Sequence, residues 1–154
     1  MKTRHDDLID ELRSLLAGER DFIANAANTS ALLFARLADL NWAGIYRLRD
    51  GKLILGPFQG KPACVRIDPG RGVCGAAAER RETIVVPDVH EFPGHIACDA
   101  DSKSEIVVPL LSAGRLIGVL DLDSPRLNRF TAADARLLEA VAGELVAGSD
   151  FENL

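Results

Sequence analysis

Three cysteines, Cys64, Cys74 and Cys98, lie within one stretch of the 154-residue chain. Two of them, Cys64 and Cys98, lie in sequence that shows no core-packing pattern. A nucleophilic thiolate needs a second thiol to convert its oxidised form into a disulfide, and an odd number of cysteines excludes complete static pairing within one chain. The cysteines therefore predict thiol redox chemistry, with Cys98 and Cys64 as the reacting pair.

The surroundings of each cysteine favour different roles. Cys98 has His95, Asp99 and Asp101 as close neighbours in the chain, so its segment offers no apolar burial. Facing carboxylates would raise the pKa of this thiol, so its activation must come from a distant donor or from the bound substrate. Cys74 lies on the apolar side of a short predicted helix, where it fits a plain core position equally well.

A second group consists of the acidic residues Glu105, Asp121 and Asp123, at the ends of two predicted strands. Charged residues at strand ends are usually just solvated. A hairpin that turns at Ala113-Gly114, however, sets positions near 105 opposite positions 121 to 123 and so brings three carboxylates together. Carboxylates this close repel, which implies either a shared proton or a cation between them, supplied by a metal or by a ligand ammonium.

The only tryptophan and the only tyrosine, Trp42 and Tyr46, are four residues apart on one predicted strand and therefore point to the same side. They serve either as ordinary core aromatics or as an apolar wall that holds a methyl or thioether group beside the cysteines. A zinc module built on His90, His95 and Cys98 is a further alternative. Its spacing matches no standard zinc motif and the chain has no CxxC pair, so we expect no metal.

Composition and charge set limits on the partners. A chain of 154 residues with 47% hydrophobic and 27% charged residues fits one domain that spans residues 1–154. The net charge of −5 offers no attraction for nucleic acid or anionic lipid. No apolar run approaches the roughly 20 residues of a membrane span, so we expect a cytoplasmic protein. Cytoplasmic thiols are kept reduced, and a disulfide here would be transient and catalytic.

Hydrophobic periodicity predicts an α+β domain, an antiparallel sheet with helices at both chain ends. Two amphipathic helices open the chain, hairpins turn at Asp50-Gly51 and Ala113-Gly114, and Thr131 to Asp134 begins the last helix like a capping box. A short helix carries Cys74. The connection Pro87 to Ser104 shows no period and is longer than most, which is typical of a functional loop. Strands are expected at 42–48, 53–58, 65–67, 83–86, 106–111 and 116–122.

Several segments closely resemble the GAF-domain free methionine-(R)-sulfoxide reductases, and the resemblance covers nearly the whole chain. A generic GAF domain, which binds cyclic nucleotides or tetrapyrroles, lacks three such cysteines together with the carboxylate set. The segments are Gly56–Cys64 (GPFQGKPAC), Gly70–Gly75 (GRGVCG), His95–Asp99 (HIACD), Ser104–Pro109 (SEIVVP) and Gly118–Pro125 (GVLDLDSP).

The resemblance implies a GAF fold, with a six-stranded antiparallel sheet and helices packed on one face, usually as a homodimer. It implies reduction of free methionine (R)-sulfoxide with electrons from thioredoxin and without a cofactor. By the same resemblance Cys98 attacks the sulfoxide, Cys64 is the main resolving cysteine and Cys74 is an auxiliary one. The remaining matched positions surround the substrate: Trp42 and Tyr46 near its methyl group, and Glu105, Asp121 and Asp123 as pocket carboxylates.

An alternative function keeps the same fold without catalysis. In that alternative the domain is a GAF sensor, whose pocket binds a small cationic or amino-acid ligand and whose cysteines report oxidation by forming a disulfide. A sensor of this kind predicts a fused output domain, whereas an enzyme needs only its substrate and a reductant.

Overall fold

The computed structural model describes residues 2–95 and 99–152, which form four α-helices and six β-strands. The helices are α1 (Arg4–Leu16), α2 (Phe22–Arg36), α3 (Gly72–Arg80) and α4 (Ala132–Ala147). The strands are β1 (Trp42–Arg49), β2 (Lys52–Gly60), β3 (Arg66–Ile67), β4 (Ile84–Val86), β5 (Ser104–Ser112) and β6 (Arg115–Ser124). The α+β prediction and its order of helices and strands are confirmed.

The strands form one six-stranded sheet in the order β3-β2-β1-β6-β5-β4, and each neighbouring pair is antiparallel. The β1–β2 hairpin turns at Asp50 and Gly51, whose φ angles are 52° and 76°. The β5–β6 hairpin turns at Ala113 and Gly114, with φ angles of 49° and 81°. Positive φ at both central residues is the geometry of tight hairpin turns, which fixes the register of the paired strands.

Side-chain capping fixes where the terminal helices begin. Thr131 accepts a hydrogen bond from the Asp134 backbone N–H at 3.1 Å, and the Asp134 carboxylate accepts one from the Thr131 N–H at 2.8 Å. The sequence predicted this capping box before α4. Thr3 and Asp6 form the same reciprocal pair at the start of α1.

The sheet separates two hydrophobic clusters. On one face α1, α2 and α4 bury side chains such as Leu12, Leu33 and Leu138 against the sheet, as the resemblance implied. On the opposite face α3 covers a smaller cluster that includes Trp42 and Tyr46. Some apolar residues of the first two helices remain exposed: Leu15 (42%), Ile23 (42%) and Phe34 (37%).

The long connection after β4 contains one piece of regular structure that the sequence did not predict. Val89–Glu91 form a single 3-10 turn, capped by the Asp88 carboxylate, which accepts a hydrogen bond from the His90 N–H at 3.0 Å. The turn buries Val89 in the cluster under α3. Over residues 2–95 and 99–152, none of the helices has the length and apolar character that crossing a bilayer requires.

Candidate active site

The strand register places the three predicted carboxylates on one face of the sheet. Trp42 on β1 pairs with Asp123 on β6, and Asp123 pairs in turn with Glu105 on β5. In the next row Gly44 pairs with Asp121. Directly paired residues of antiparallel strands share a face. We refer to Glu105, Asp121 and Asp123 as the acidic cluster, and its predicted convergence agrees with this register.

Burial makes the acidic cluster electrostatically unusual. Glu105 is only 7% exposed and Asp121 only 5% exposed, while Asp123 is half-buried. Burial raises the pKa of Asp121 to about 8, and the charge of Asp123 adds to this increase. One carboxylate oxygen, Asp121 Oδ1, is buried without any hydrogen-bond partner among the described residues.

The other two carboxyls respond in the same direction. Burial raises the pKa of Glu105 well above its ordinary value, with a further contribution from Asp121. The pKa of Asp123 is also raised well above its ordinary value, first by burial and then by the charge of Glu105. A carboxyl whose pKa is raised in this way keeps its proton to higher pH than a free carboxyl does, and an entering cation favours the loss of that proton. The acidic cluster can therefore hold a proton for transfer or bind a positive group.

Cys74 borders the acidic cluster from α3. Its side chain is 4% exposed and is a free thiol. Burial raises the pKa of this thiol well above its ordinary value, and Asp121 and Glu105 reinforce the effect. Ligand atoms of Cys74, Glu105 and Asp121 all lie within 4.8 Å of one another. Cys74 thus lies in the hydrophobic core, as its sequence context allowed. It also lines the wall of the site.

The aromatic residues form a flat wall next to the carboxylates. The rings of Trp42 and Tyr46 are stacked with centroids 5.9 Å apart, and the rings of Trp42 and Phe58 are stacked with centroids 5.2 Å apart. Gly44 lies between the two aromatics on β1, and a Cβ added there would come within 2.6 Å of the Trp42 ring. A glycine inside a strand often marks a close approach, a signal that could have identified Gly44 from the sequence.

The polar ends of the same two aromatics hold the segment that carries Cys64. The Trp42 indole N–H donates to the Lys61 carbonyl at 3.1 Å, and the Tyr46 hydroxyl donates to the Cys64 carbonyl at 2.9 Å. Cys64 itself is half-buried and disulfide-bonded. Residues 61–64 are therefore fixed against the aromatic wall by two buried donors.

Cys98, the predicted nucleophile, lies outside the described residues. The described residues nearest to it in the chain, His95 and Asp99, both line the same cleft as the acidic cluster. Burial lowers the pKa of His95, and nearby His90 lowers it further. The chain segments that lead into and out of residues 96–98 thus reach the cleft wall.

The segment that follows Cys98 is fastened by side chains the sequence analysis did not select. The Asn41 amide donates to Asp99 Oδ2 at 3.0 Å and to Ser102 Oγ at 2.9 Å. Lys61 donates to Asp101 Oδ2 at 2.7 Å from an exposed position. These contacts join residues far apart in the chain, so no local sequence pattern predicts them.

The cleft encloses about 560 Å³, including the space that opens to solvent. Its walls combine the acidic cluster, the aromatic wall, Cys74 and the start of α3, where Gly72 and Val73 line the cleft. Arg71, the N-cap of α3, gives that helix no side-chain hydrogen bond. Backbone N–H groups at an uncapped helix start favour anions, so the cleft presents acidic groups on one side and an anion-binding end on another.

Of the alternative metal centre built on His90, His95 and Cys98, the structure describes the two histidines. His90 directs its ring to Asp88 at 3.1 Å and leaves 71% of its side chain exposed. Within residues 2–95 and 99–152, the group with suitable metal-ligand spacing is Cys74, Glu105 and Asp121, and it contains no histidine.

Comparison with known proteins defines the class. The chain matches the GAF domain family over residues 7–147. It is 55% identical over 149 residues to the free methionine-R-sulfoxide reductase of Escherichia coli (strain K12), a match that covers 95% of this chain and 90% of that protein. It is 43% identical over 145 residues to the enzyme of the same name from Saccharomyces cerevisiae, with coverage of 89% and 81%.

A solved structure agrees with these relatives. The X-ray structure of free methionine-R-sulfoxide reductase from Neisseria meningitidis in complex with its substrate has a TM-score of 0.90 and 45% identity to this chain, and covers 94% of this chain and 87% of that one. The chain belongs to the free methionine-R-sulfoxide reductase family of GAF domains. The resemblance found in the sequence and the expected fold are both confirmed.

Proposed function

We propose that the protein reduces free L-methionine (R)-S-oxide to L-methionine, using its own thiols and electrons from thioredoxin. The observation that carries this function is the acidic cluster, buried beside a stacked tryptophan–tyrosine wall in a cleft bordered by His95 and Asp99. Family membership supports the reaction class, an oxidoreductase acting on a sulfur group.

A free amino acid fits the two charged ends of the cleft. Its ammonium would neutralise part of the acidic cluster, where Asp121 Oδ1 has no hydrogen-bond partner within residues 2–95 and 99–152. Its carboxylate would meet the backbone N–H groups at the start of α3. Its methyl group would rest against Trp42 and Tyr46. A methionine sulfoxide inside a peptide has no ammonium, and its entry would leave buried carboxylates unpaired at a cost of several kcal/mol.

The proposed reaction begins at the sulfoxide oxygen. A protonated carboxyl of the acidic cluster donates its proton to the sulfoxide oxygen, and the Cys98 thiolate attacks the activated sulfoxide. The sulfur–oxygen bond breaks, methionine leaves, and the oxygen remains on Cys98 as a sulfenic acid. The Cys64 thiol then condenses with the sulfenic acid to give a disulfide and water, and a thioredoxin dithiol reduces that disulfide.

Two observations favour Cys64 over Cys74 as the resolving cysteine. Cys64 is disulfide-bonded and belongs to the segment fixed by Trp42 and Tyr46, whereas Cys74 is a free thiol. A raised pKa leaves Cys74 with little thiolate at neutral pH, and the thiolate is the form that reacts. Cys74 accordingly has an auxiliary role in this proposal.

We propose that the enzyme works in the cytoplasm, without a cofactor, as a single GAF domain that forms a homodimer. It binds neither nucleic acid nor membrane, consistent with its net charge of −5. Its protein partner is thioredoxin, which reduces the disulfide at the end of each turnover.

Steady-state NADPH oxidation through thioredoxin and thioredoxin reductase tests the proposal. Free methionine (R)-sulfoxide, its (S) epimer and a sulfoxidised peptide are compared in parallel. We expect turnover with the free (R) epimer only. Activity confined to the peptide would contradict the proposed substrate. Saturable ligand binding by a folded protein that turns over none of the three would favour the sensor alternative.

A further inference from the structure

We propose that Cys74, Glu105 and Asp121 form a binding site for a thiophilic divalent cation such as Zn²⁺, and that this cation and the free amino acid exclude each other. The three residues come from α3, β5 and β6 and meet on the face of the sheet covered by α3. Their ligand atoms lie within 4.8 Å of one another. The exclusion rests on the proposed function of the cleft, whereas metal binding by itself does not.

Donor chemistry identifies the class of ion. One thiolate and two carboxylates are ligands that Zn²⁺ accepts in four-coordinate sites, while Mg²⁺ and Ca²⁺ require oxygen-only shells. Tetrahedral ligands around Zn²⁺ at ordinary bond lengths are roughly 3.5 Å apart. Because the ligand atoms are no more than 4.8 Å apart, the three side chains would close by at most about 1.3 Å around the ion, within reach of rotamer adjustment.

A second observation points to a missing cationic partner. Asp121 is 95% buried, as its 5% exposure shows, and its Oδ1 atom has no hydrogen-bond partner among residues 2–95 and 99–152. The same residue lines the cleft. A buried carboxylate oxygen without a donor is costly, and a divalent ion would satisfy it and neutralise the acidic cluster.

Acidic residues outnumber basic residues in the described lining of the cleft. Asp123 and Asp99 line it together with the proposed ligands, and Arg71 and His95 are the basic residues among the lining residues that the structure describes. Metal entry displaces the protons held by the Cys74 thiol and by the carboxyls to solvent, because the ligands bind in their deprotonated forms. Binding of the ion involves no electron transfer, so Cys74 stays reduced.

Titration of the prereduced full-length protein with Co²⁺ alone tests the site, because a cobalt–thiolate bond gives a near-ultraviolet charge-transfer band. We expect about one ion per chain, release of protons in unbuffered solution, and displacement by Zn²⁺ but not by Mg²⁺. The Cys74→Ser and Asp121→Asn variants should weaken binding by more than the 10- to 100-fold typical of losing an outer-shell partner. The Cys64→Ser variant is the matched control and should keep the band.

Persistence of the band in folded Cys74→Ser, or its loss in Cys64→Ser alone, would overturn the proposal. If Cys74→Ser does not fold, as judged by circular dichroism, Asp121→Asn decides: unchanged cobalt affinity in that variant overturns the site. Free methionine should release the bound Co²⁺, and failure to do so would overturn mutual exclusion. Because the spectrum needs no turnover, an inactive protein that binds Co²⁺ would contradict the reductase proposal and leave the metal site standing.

Discussion

Asp121 lies in surroundings that disfavour its charged form. It is buried, and its Oδ1 atom has no hydrogen-bond partner in the part of the chain that the structure describes. Burial raises its pKa to about 8. A residue in this state costs stability that a plain core residue would not. That cost is understandable where binding of a cationic group supplies the missing partner.

The Asp121→Asn variant should change how stability depends on pH. In the native protein Asp121 keeps its proton up to about pH 8, while the unfolded chain loses it near its ordinary value of 3.8. Between these values the folded state binds more protons, so the free energy of unfolding falls as pH rises. Asparagine removes this component, on the order of a few kcal/mol at most, and should raise the melting temperature above pH 8.

Thermal denaturation over this pH window measures the effect. Glu139→Gln, an exposed change on α4, is the control and should follow the wild-type curve. Identical pH slopes for wild type and Asp121→Asn would contradict the assigned burial of this carboxyl.

Residue types and an approximate hairpin register were enough to predict that the three carboxylates converge. Asp50-Gly51 and Ala113-Gly114 form the two turns. The exact pairing of Glu105 with Asp123 also depends on a register shift between Leu110 and Leu111, which the sequence did not predict. The contacts of Asn41 and the donors from Trp42 and Tyr46 to residues 61–64 were not predictable. They join segments 18 to 61 positions apart, whose approach depends on the finished sheet.

β1 positions the aromatic wall by alternating large side chains with a glycine. Gly44 leaves the space that the Trp42 ring and the Phe58 Cβ occupy. The Gly44→Ala variant should therefore displace the side chains of Trp42 and Phe58, lower the free energy of unfolding by about 1–3 kcal/mol and raise KM for methionine sulfoxide. Chemical denaturation and steady-state kinetics measure the two effects.

Gly143→Ala on α4 is the matched control for Gly44→Ala. A Cβ at Gly143 meets nothing within 4 Å, and alanine suits a helix interior better than glycine. It should raise stability by about 0.5–1 kcal/mol without changing KM. Equal effects of the two substitutions on stability and KM would contradict the role given to Gly44.

The connection between β4 and β5 is held near the cleft by contacts of different strength. Asn41 is half-buried and bonds both Asp99 and Ser102, whereas Lys61 reaches Asp101 in solvent. Asn41→Ala should reduce kcat by about 10- to 100-fold by misplacing the segment that follows Cys98. Lys61→Ala should change it little, because exposed ion pairs contribute about 0–1 kcal/mol.

Steady-state rates with free methionine (R)-sulfoxide, together with melting temperatures, distinguish positioning from unfolding. Recovery of kcat in Asn41→Asp, which keeps the shape but not the donor, would contradict the hydrogen-bond explanation.

In the whole molecule, one face of the sheet carries the larger hydrophobic core and the opposite face carries the site. One hydrophobic cluster under α1, α2 and α4 stabilises the fold, and the smaller cluster under α3 contains the site. Substitutions at the site can therefore alter binding while the larger core persists. Ligand binding in turn should stabilise the whole domain by mass action.

Free methionine should raise the melting temperature, since it presents both charged ends that the cleft fits. At about 100 times its Kd the gain is about 2.7 kcal/mol, or several degrees for a domain of this size. N-acetylmethionine lacks the ammonium and serves as the control. A thermal shift of equal size with both compounds would contradict recognition of the ammonium by the acidic cluster.

In the proposed reaction Cys98 reduces the substrate, and Cys64 then condenses with the sulfenic acid left on Cys98. The most direct test measures the methionine that prereduced protein forms in a single turnover, with free (R)-sulfoxide and no thioredoxin. We predict about one equivalent of methionine per chain from Cys64→Ser, with a sulfenic acid trapped on Cys98, and none from Cys98→Ser. Methionine formation by Cys98→Ser at the wild-type yield would show that Cys98 is not the residue that reduces the substrate.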